Sequence, residues 1–421
     1  MLSQRGALVY HSMGSGKTIT SLSCGYALLD RGLIDNVVVL APKSVQDYWR
    51  DNATSLGMAS TTRIFTHNVF DEDAVTSRTL LIVDEAHNFR TEIVDNPGRQ
   101  LQSQKAYRLM RVACLASKVL LLSGTPIVNK EDDLKNLVYA IIKQQPFDYR
   151  DYARFQSSSA LAKPYTDAYR DVGDERMPST SYNRVEFTMT PAFLKWYETV
   201  EENVTNSLMV NTKNLKMFLN GVRRAVNGVQ WSGTDERSSP KIAWLREQVA
   251  TWRGRGEKVL IYSAWKDFGM RIVEDALKDC CPGLSIRIID GNVSSSKRGA
   301  TVSDFNADKL DVIMVTAAGS EGINLLGTRH VVILEPHWNE ARVSQAVHRA
   351  RRINSHAHLP QDRRNVTVYK LVMKKPGLFT SARRRFESAD TILENKTGEK
   401  KALGNAFFAM VQPSTMVQPS V

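Results

Sequence analysis

Three short stretches carry residue types and spacings that suit triphosphate chemistry. HSMGSGKT, residues 11–18, nearly matches the phosphate-cradling pattern G-x-x-x-x-G-K-[ST], with His11 where the first glycine belongs. Gly14 and Gly16 let the backbone turn so that its amides face a phosphate. Lys17 can reach the β- and γ-phosphates, and the Thr18 hydroxyl can hold magnesium. LLIVDEAH, residues 80–87, delivers two adjacent carboxylates at the end of an apolar run. Asp84 is placed to hold the metal and Glu85 to polarise an attacking water. In QAVHRARR, residues 345–352, Arg349 and Arg352 lie at i, i+3, with Gln345 one turn earlier. Such a guanidinium pair can stabilise charge on a transferring phosphoryl group, although a solvated basic helix or a nucleic-acid backbone contact would carry the same residues.

These residues need rigid elements to aim them. Apolar, β-branched runs recur at residues 7–10, 37–40, 79–83 and 118–122. After about residue 236 the rhythm restarts, at 258–262, 285–289, 311–315, 330–334 and 366–372. Continuous hydrophobicity marks strands buried on both faces, and helix-capable segments between them predict a parallel α/β sheet in each half. The phosphate-loop candidate follows one such strand and opens the helix TITSLSCGYALLD. Residues from about 143 to 240 instead carry aromatic-studded amphipathic segments such as PAFLKWYETVEENV and LKMFLNGVRRAV, read as helices. The expected division is 1–145 for a first lobe, 146–235 for a helical inter-lobe region, 236–397 for a second lobe and 398–421 for a disordered tail, in which MVQPS occurs twice.

The 421 residues are 42% hydrophobic, with four cysteines and a net charge of +12. No run suits a membrane span, the N-terminus does not read as a signal peptide, and the cysteines form no CxxC pair. These features point to an intracellular, reducing compartment. The positive charge suits a polyanionic partner, nucleic acid being the commonest.

Taken together the motifs resemble superfamily II helicase-like ATPases. VVVLAPKSVQDYW (37–49) looks like motif Ia, DEAH like motif II and LLLSGTPIVN (120–129) like motif III. KVLIYSAWKDFG (258–269) resembles motif IV. Residues 315–353, with GINL, the later W-N and Q-A-x-x-R-A-x-R, resemble motifs V and VI of the SWI/SNF-type branch. The resemblance implies two RecA-like lobes that share ATP and magnesium. Residues 11–18 (His11, Ser12, Met13, Gly14, Ser15, Gly16, Lys17 and Thr18) and Gly322 would line the nucleotide site. Pro42, Lys43, Ser123, Thr125 and Thr316 would meet a nucleic-acid backbone, duplex DNA above all, with little sequence preference. Three departures stand out. His11 replaces the branch's usual aspartate and is similar to poxvirus nucleoside triphosphatase I-like ATPases, which hints at a large DNA virus and at work in host nucleus, cytoplasm or virion. RINS stands where many members have RIGQ. Only 16 residues precede Lys17, so Gln4 is a doubtful adenine contact.

The expectation is a monomeric, DNA-dependent ATPase that translocates on or remodels duplex DNA in viral transcription, replication or repair, beside proteins of those pathways. A strand-separating helicase on DNA or RNA, and a nucleotide-gated binding module without turnover, are the alternatives. His87 is read as coupling the nucleotide site to motif III, with a satisfied core residue as the alternative, His348 as facing solvent or a neighbouring helix, and Trp338 as packing between motifs V and VI.

Overall fold

The computed structural model describes residues 4–12, 14–95, 104–144, 146–169, 176–207, 221–228, 238–320, 322–338, 340–377 and 387–411. Its contacts divide the chain into two units, residues 1–172 with 399–421, and residues 173–398.

The first unit is built on a six-stranded, all-parallel sheet: β1 (Gly6–His11), β2 (Asn36–Leu40), β3 (Thr62–Phe65), β4 (Thr79–Val83), β5 (Lys118–Leu122) and β6 (Thr166–Tyr169), in the order β3-β2-β4-β5-β1-β6. Val9 of β1 pairs with Leu122 of β5, and Val83 of β4 with Leu121 of β5. The strand ends that precede Ser12, Asp84 and Ser123 are therefore neighbours. Both faces are covered: Leu8, Val38, Leu81 and Leu121 pack on one side, and Val9, Val37, Leu80 and Leu120 on the other. This two-sided burial is why the runs are continuously apolar.

The second unit repeats the plan with β7 (Ser179–Thr188), β8 (Lys258–Tyr262), β9 (Ile286–Ile289), β10 (Val312–Val315), β11 (Thr328–Ile333) and β12 (Asn365–Lys374), in the order β7-β12-β11-β8-β10-β9, all parallel. Trp252 and Leu277 fill one face, and Phe305 and Val347 the other. The expected fold class, two parallel α/β lobes, is what the chain forms.

Three segments differ from expectation. Strand β6, paired with β1 in the first unit, lies inside the region read as helical. Strand β7 lies inside that region too. Its ten residues pair along the whole of β12, from Ser179 with Asn365 to Thr188 with Lys374. As an edge strand it is largely exposed, and its polar sequence STSYNRVEFT hides it from hydrophobic patterning. The helix expected within PAFLKWYETVEENV does form, as Pro191–Ser207, and buries Phe193 and Tyr197 in the second unit. The first half of LKMFLNGVRRAV, residues 215–220, lies outside the described residues. The tail read as disordered from 398 is instead helical to residue 411, within the helix Ala389–Val411. Phe407 and Phe408 are buried in the first unit's core, with ring centroids 5.9 and 5.3 Å from that of Tyr10 on β1. Spaced one turn and more from Leu403 among Lys, Gly and Ala, two aromatics were too few to signal a buried face. Both MVQPS copies begin at or after Met410 and fall almost wholly outside the described residues.

Candidate nucleotide site

The site collects at the C-terminal edge of the first sheet, the edge at which parallel α/β sheets bind ligands. After β1 the chain turns through residues 12–16, where Gly14 and Gly16 have φ of 83° and 80°. Only glycine adopts this region without strain. The turn closes on itself as the Ser15 hydroxyl donates to the Ser12 carbonyl at 2.7 Å. The helix Lys17–Asp30 then begins, with Thr18 in its first turn. Met13 lies outside the described residues. The Lys17 ammonium donates to the main-chain oxygens of His11 (3.0 Å) and Ser12 (2.9 Å). Burial lowers its pKa, opposed by the negative charges of Glu85 and Asp84.

His11 explains its own departure from the pattern. It is buried at the end of β1 with its Nε2 2.9 Å from Asp167 Oδ2 on β6. The Ser12 amide donates to the Tyr169 carbonyl at 2.9 Å. The bond to His11 lowers the Asp167 pKa. The side chain thus fastens the sixth strand beside the phosphate loop; its contact with the loop is through its backbone carbonyl.

Asp84 and Glu85 follow β4. Burial, then the neighbouring Glu85 charge, pushes the Asp84 carboxyl up to about 6. Both of its oxygens are engaged: Oδ2 accepts from the Trp49 indole at 3.2 Å and Oδ1 from the Glu85 amide at 2.9 Å. Its carbonyl accepts from His67 Nε2 at 2.7 Å. Glu85 takes a left-handed conformation, φ 48°. That conformation is costly for a residue with a side chain and is concentrated at functional sites. His87 Nδ1 lies 3.3 Å from Glu85 Oε2 and 3.2 Å from Ser123 Oγ, and that hydroxyl also accepts from the Thr125 amide at 3.0 Å. Ser123 is fully buried, so its hydroxyl serves this relay rather than an external backbone. The Thr125 hydroxyl is half of a different case: it is enclosed and has no hydrogen-bond partner among the described residues.

Pro42 and Lys43 follow β2, Lys43 exposed at the start of the short turn Lys43–Val45. Gln4 lies at the other end of the sheet. Its carbonyl accepts from Lys118 at the start of β5, and its side chain borders a cavity of about 280 Å³ with Leu80 and Lys118. It is remote from the phosphate loop, at the opposite end of β1.

In the second unit, Gln345 and Arg349 lie half-buried on the helix Glu340–Ala350, and Arg352 follows it. The Arg349 carbonyl accepts from Leu325 of GINL at 3.0 Å, and Ser355 caps Arg352. Gly322 has φ 73°. Thr316 follows β10, where its hydroxyl accepts from the Gly319 amide at 3.2 Å. His348 is half-buried. Trp338 packs with the Phe193 and Tyr197 cluster of the preceding helical segment, a partner that the motif spacing did not indicate. Trp49, His67 and Asp167 were missed by sequence reasoning. Trp49 lies in the quoted motif Ia stretch, but nothing in spacing alone ties an indole to a carboxylate 35 residues away.

Residues 240–354 match the family model described as helicase conserved C-terminal domain. The chain is 27% identical, over 98% of its length and 94% of the relative's, to a protein of Acanthamoeba polyphaga mimivirus named "Putative ATP-dependent RNA helicase". It is 23% identical to a termination factor NPH-I homolog of African swine fever virus, over 87% of this chain and 69% of that one. To an ISWI chromatin-remodeling complex ATPase of Saccharomyces cerevisiae it is 23% identical, over 94% of this chain and 40% of that one. Among solved structures, a Sulfolobus solfataricus SWI2/SNF2 ATPase core in complex with double-stranded DNA matches at 20% identity and a TM-score of 0.37, covering 88% of this chain and 84% of that one. No described helix is long and apolar enough to cross a membrane.

Proposed function

Because the chain belongs to the superfamily II helicase-like ATPases of the SWI/SNF type, we propose that it is an ATP-driven motor that hydrolyses ATP at the C-terminal edge of the first sheet and translocates on duplex DNA. The observation that carries this reading is the convergence there of Lys17, Asp84 and Glu85, with Lys17 responding to both carboxylate charges. Residues 14–16 would cradle the β-phosphate with backbone amides, and Lys17 would leave the carbonyls of His11 and Ser12 for the β- and γ-phosphates. Glu85 would take the proton of the attacking water. Gln345, Arg349 and Arg352 of the second unit would meet the charge that develops on the γ-phosphate.

A divalent cation fits the donor set. Asp84 and Thr18 offer hard oxygens, and the buried Asp84 carboxylate beside Glu85 is a place where a cation would offset negative charge. Bound magnesium would neutralise the phosphate oxygens as charge shifts to the leaving group.

On the nucleic-acid side, Pro42, Lys43 and Thr316 would touch backbone phosphates, with Ser123 holding the turn at Thr125. Backbone contact and a net charge of +12 predict binding that weakens steeply with salt and discriminates little by sequence. The termination-factor name of the African swine fever virus relatives makes viral transcription a first pathway to test, with replication and repair beside it. The test is ATP hydrolysis with duplex DNA, single-stranded DNA or RNA added, alongside triplex-displacement and strand-displacement assays. Duplex-stimulated hydrolysis with triplex displacement and no unwinding supports the proposal. Stimulation by RNA alone with strand separation supports an RNA helicase, the activity named for the mimivirus relative.

A further inference from the structure

Trp49 is fully buried, yet its only polar atom is aimed at Asp84: the indole Nε1–H donates to Oδ2 at 3.2 Å. Trp49 sits on the helix Gln46–Ser55, which continues directly from the turn Lys43–Val45. The Val45 amide donates to the Pro42 carbonyl at 3.1 Å, so 42–55 forms one hydrogen-bonded unit with Lys43 exposed at its start and Trp49 at its buried face. Below it, Trp49 packs in a core with Val37, Val39 and Ile82, which ties the helix to β2 and β4. The Asp84 amide donates to the Leu40 carbonyl at 2.8 Å, two residues before Pro42. A small displacement of residues 42–45 is therefore transmitted through packed elements to a carboxylate oxygen, since close-packed interiors move as units rather than yield locally.

We propose that Trp49 is a positioning residue for Asp84, and that it carries the signal by which a nucleic-acid backbone lying on residues 42–45 stimulates ATP hydrolysis. The inference rests on the ATPase reading above and adds a partner-to-site route to it. In this route the indole, with the Glu85 amide on the other oxygen, orients the Asp84 carboxylate toward a metal-bound nucleotide. Occupancy at Lys43 shifts the helix and retunes that bond. A hydrogen bond to a charged group is strong enough for its loss to be measured as about a tenfold change in an equilibrium.

The test compares wild type with Trp49→Phe, which keeps an aromatic ring in the core and removes the N–H donor. Three quantities are read: the thermal midpoint, Mn²⁺ binding in the presence of a non-hydrolysable ATP analogue by electron paramagnetic resonance of free Mn²⁺, and kcat and KM with and without duplex DNA. The expected result is a near-native midpoint, Mn²⁺ affinity weakened by about three- to tenfold, and DNA stimulation of kcat reduced toward one with DNA affinity retained. Wild-type Mn²⁺ affinity and stimulation in a folded Trp49→Phe would overturn the assignment of Trp49 alone. A wild-type protein that binds no Mn²⁺–nucleotide would overturn the ATPase reading and this inference with it. Should Trp49→Phe fail to fold, hydrogen exchange on the unmodified protein decides: duplex DNA added without nucleotide should alter protection in 46–55 and in 84–85 together, and a change confined to 42–55 would overturn the route.

Discussion

The imidazole of His87 stands 3.2 Å from the hydroxyl of Ser123, joining the DEAH segment to the SGT turn through one buried contact. On its other side the same nitrogen lies 3.3 Å from Glu85, and Ser123 in turn holds the Thr125 amide. A nitrogen shared between two acceptors can commit to only one at a time, so His87 is suited to report the state of Glu85 to residues 123–125. Ser123→Ala removes the hydroxyl that His87 Nδ1 faces without opening a large void. The expected outcome is a basal ATPase rate within a few-fold of wild type and a clear loss of nucleic-acid stimulation, measured as the ratio of the two rates. Equal stimulation in Ser123→Ala would show the contact to be packing alone.

Gly319 tests the geometry of the second unit. A Cβ added there would lie 1.9 Å from the Ile289 carbonyl oxygen and 2.6 Å from its carbon, both backbone atoms that cannot rotate away. Gly319→Ala must therefore displace the turn after β10 that holds Thr316. It should cost at least about 2 kcal/mol in denaturant titrations.

The C-terminal helix gives a separate stability prediction. Phe407 is 1% exposed and stacks near Tyr10, on the strand that feeds the phosphate loop. Phe407→Ala should destabilise the first unit by about 3–5 kcal/mol, from lost burial and the cavity left behind. Calorimetry should show a lowered first-unit transition with the second nearly unmoved.

Acid sensitivity follows from His356. It is buried, Nε2 donates to the Thr328 carbonyl at 2.8 Å, and burial pushes its pKa down to about 4. The unfolded imidazole takes a proton near pH 6.5, so acid favours the unfolded chain; the stability is complete above that pH and is lost as pH falls toward 4. At pH 5 the loss from this group amounts to about 2 kcal/mol. Urea midpoints at pH 7.5 and 5 should fall further for wild type than for His356→Gln, which does not titrate. Parallel pH dependence in the two proteins would contradict the assignment.

Much of the fold was legible because its strands are buried on both faces. The runs at 37–40, 80–83, 119–122, 259–262 and 312–315 are apolar throughout, and a parallel sheet is the structure that consumes such runs. Strands β6 and β7 escaped because edge strands carry polar residues on at least one face, leaving the ladder itself as their only signature. The loop chemistry of 14–18 and the DEAH carboxylates were visible because spacing along the chain sets them. The partners that tune them were not. Trp49, His67 and Asp167 reach the site from a helix, the loop after β3 and an edge strand, and such pairings are decided by strand order rather than by any local pattern. His11 shows the same limit: its identity was noticed, whereas its job of fastening β6 needed the sheet order β5-β1-β6 to be seen.

The central claim, that Glu85 activates water for ATP hydrolysis beside Lys17 and Asp84, is tested most directly by the turnover of Glu85→Gln with duplex DNA present, measured together with nucleotide affinity. The substitution keeps size and removes the base. The account predicts phosphate release at least about 100-fold slower, with ATP affinity retained within a few-fold. Turnover at the wild-type rate in a folded, nucleotide-binding Glu85→Gln would contradict it.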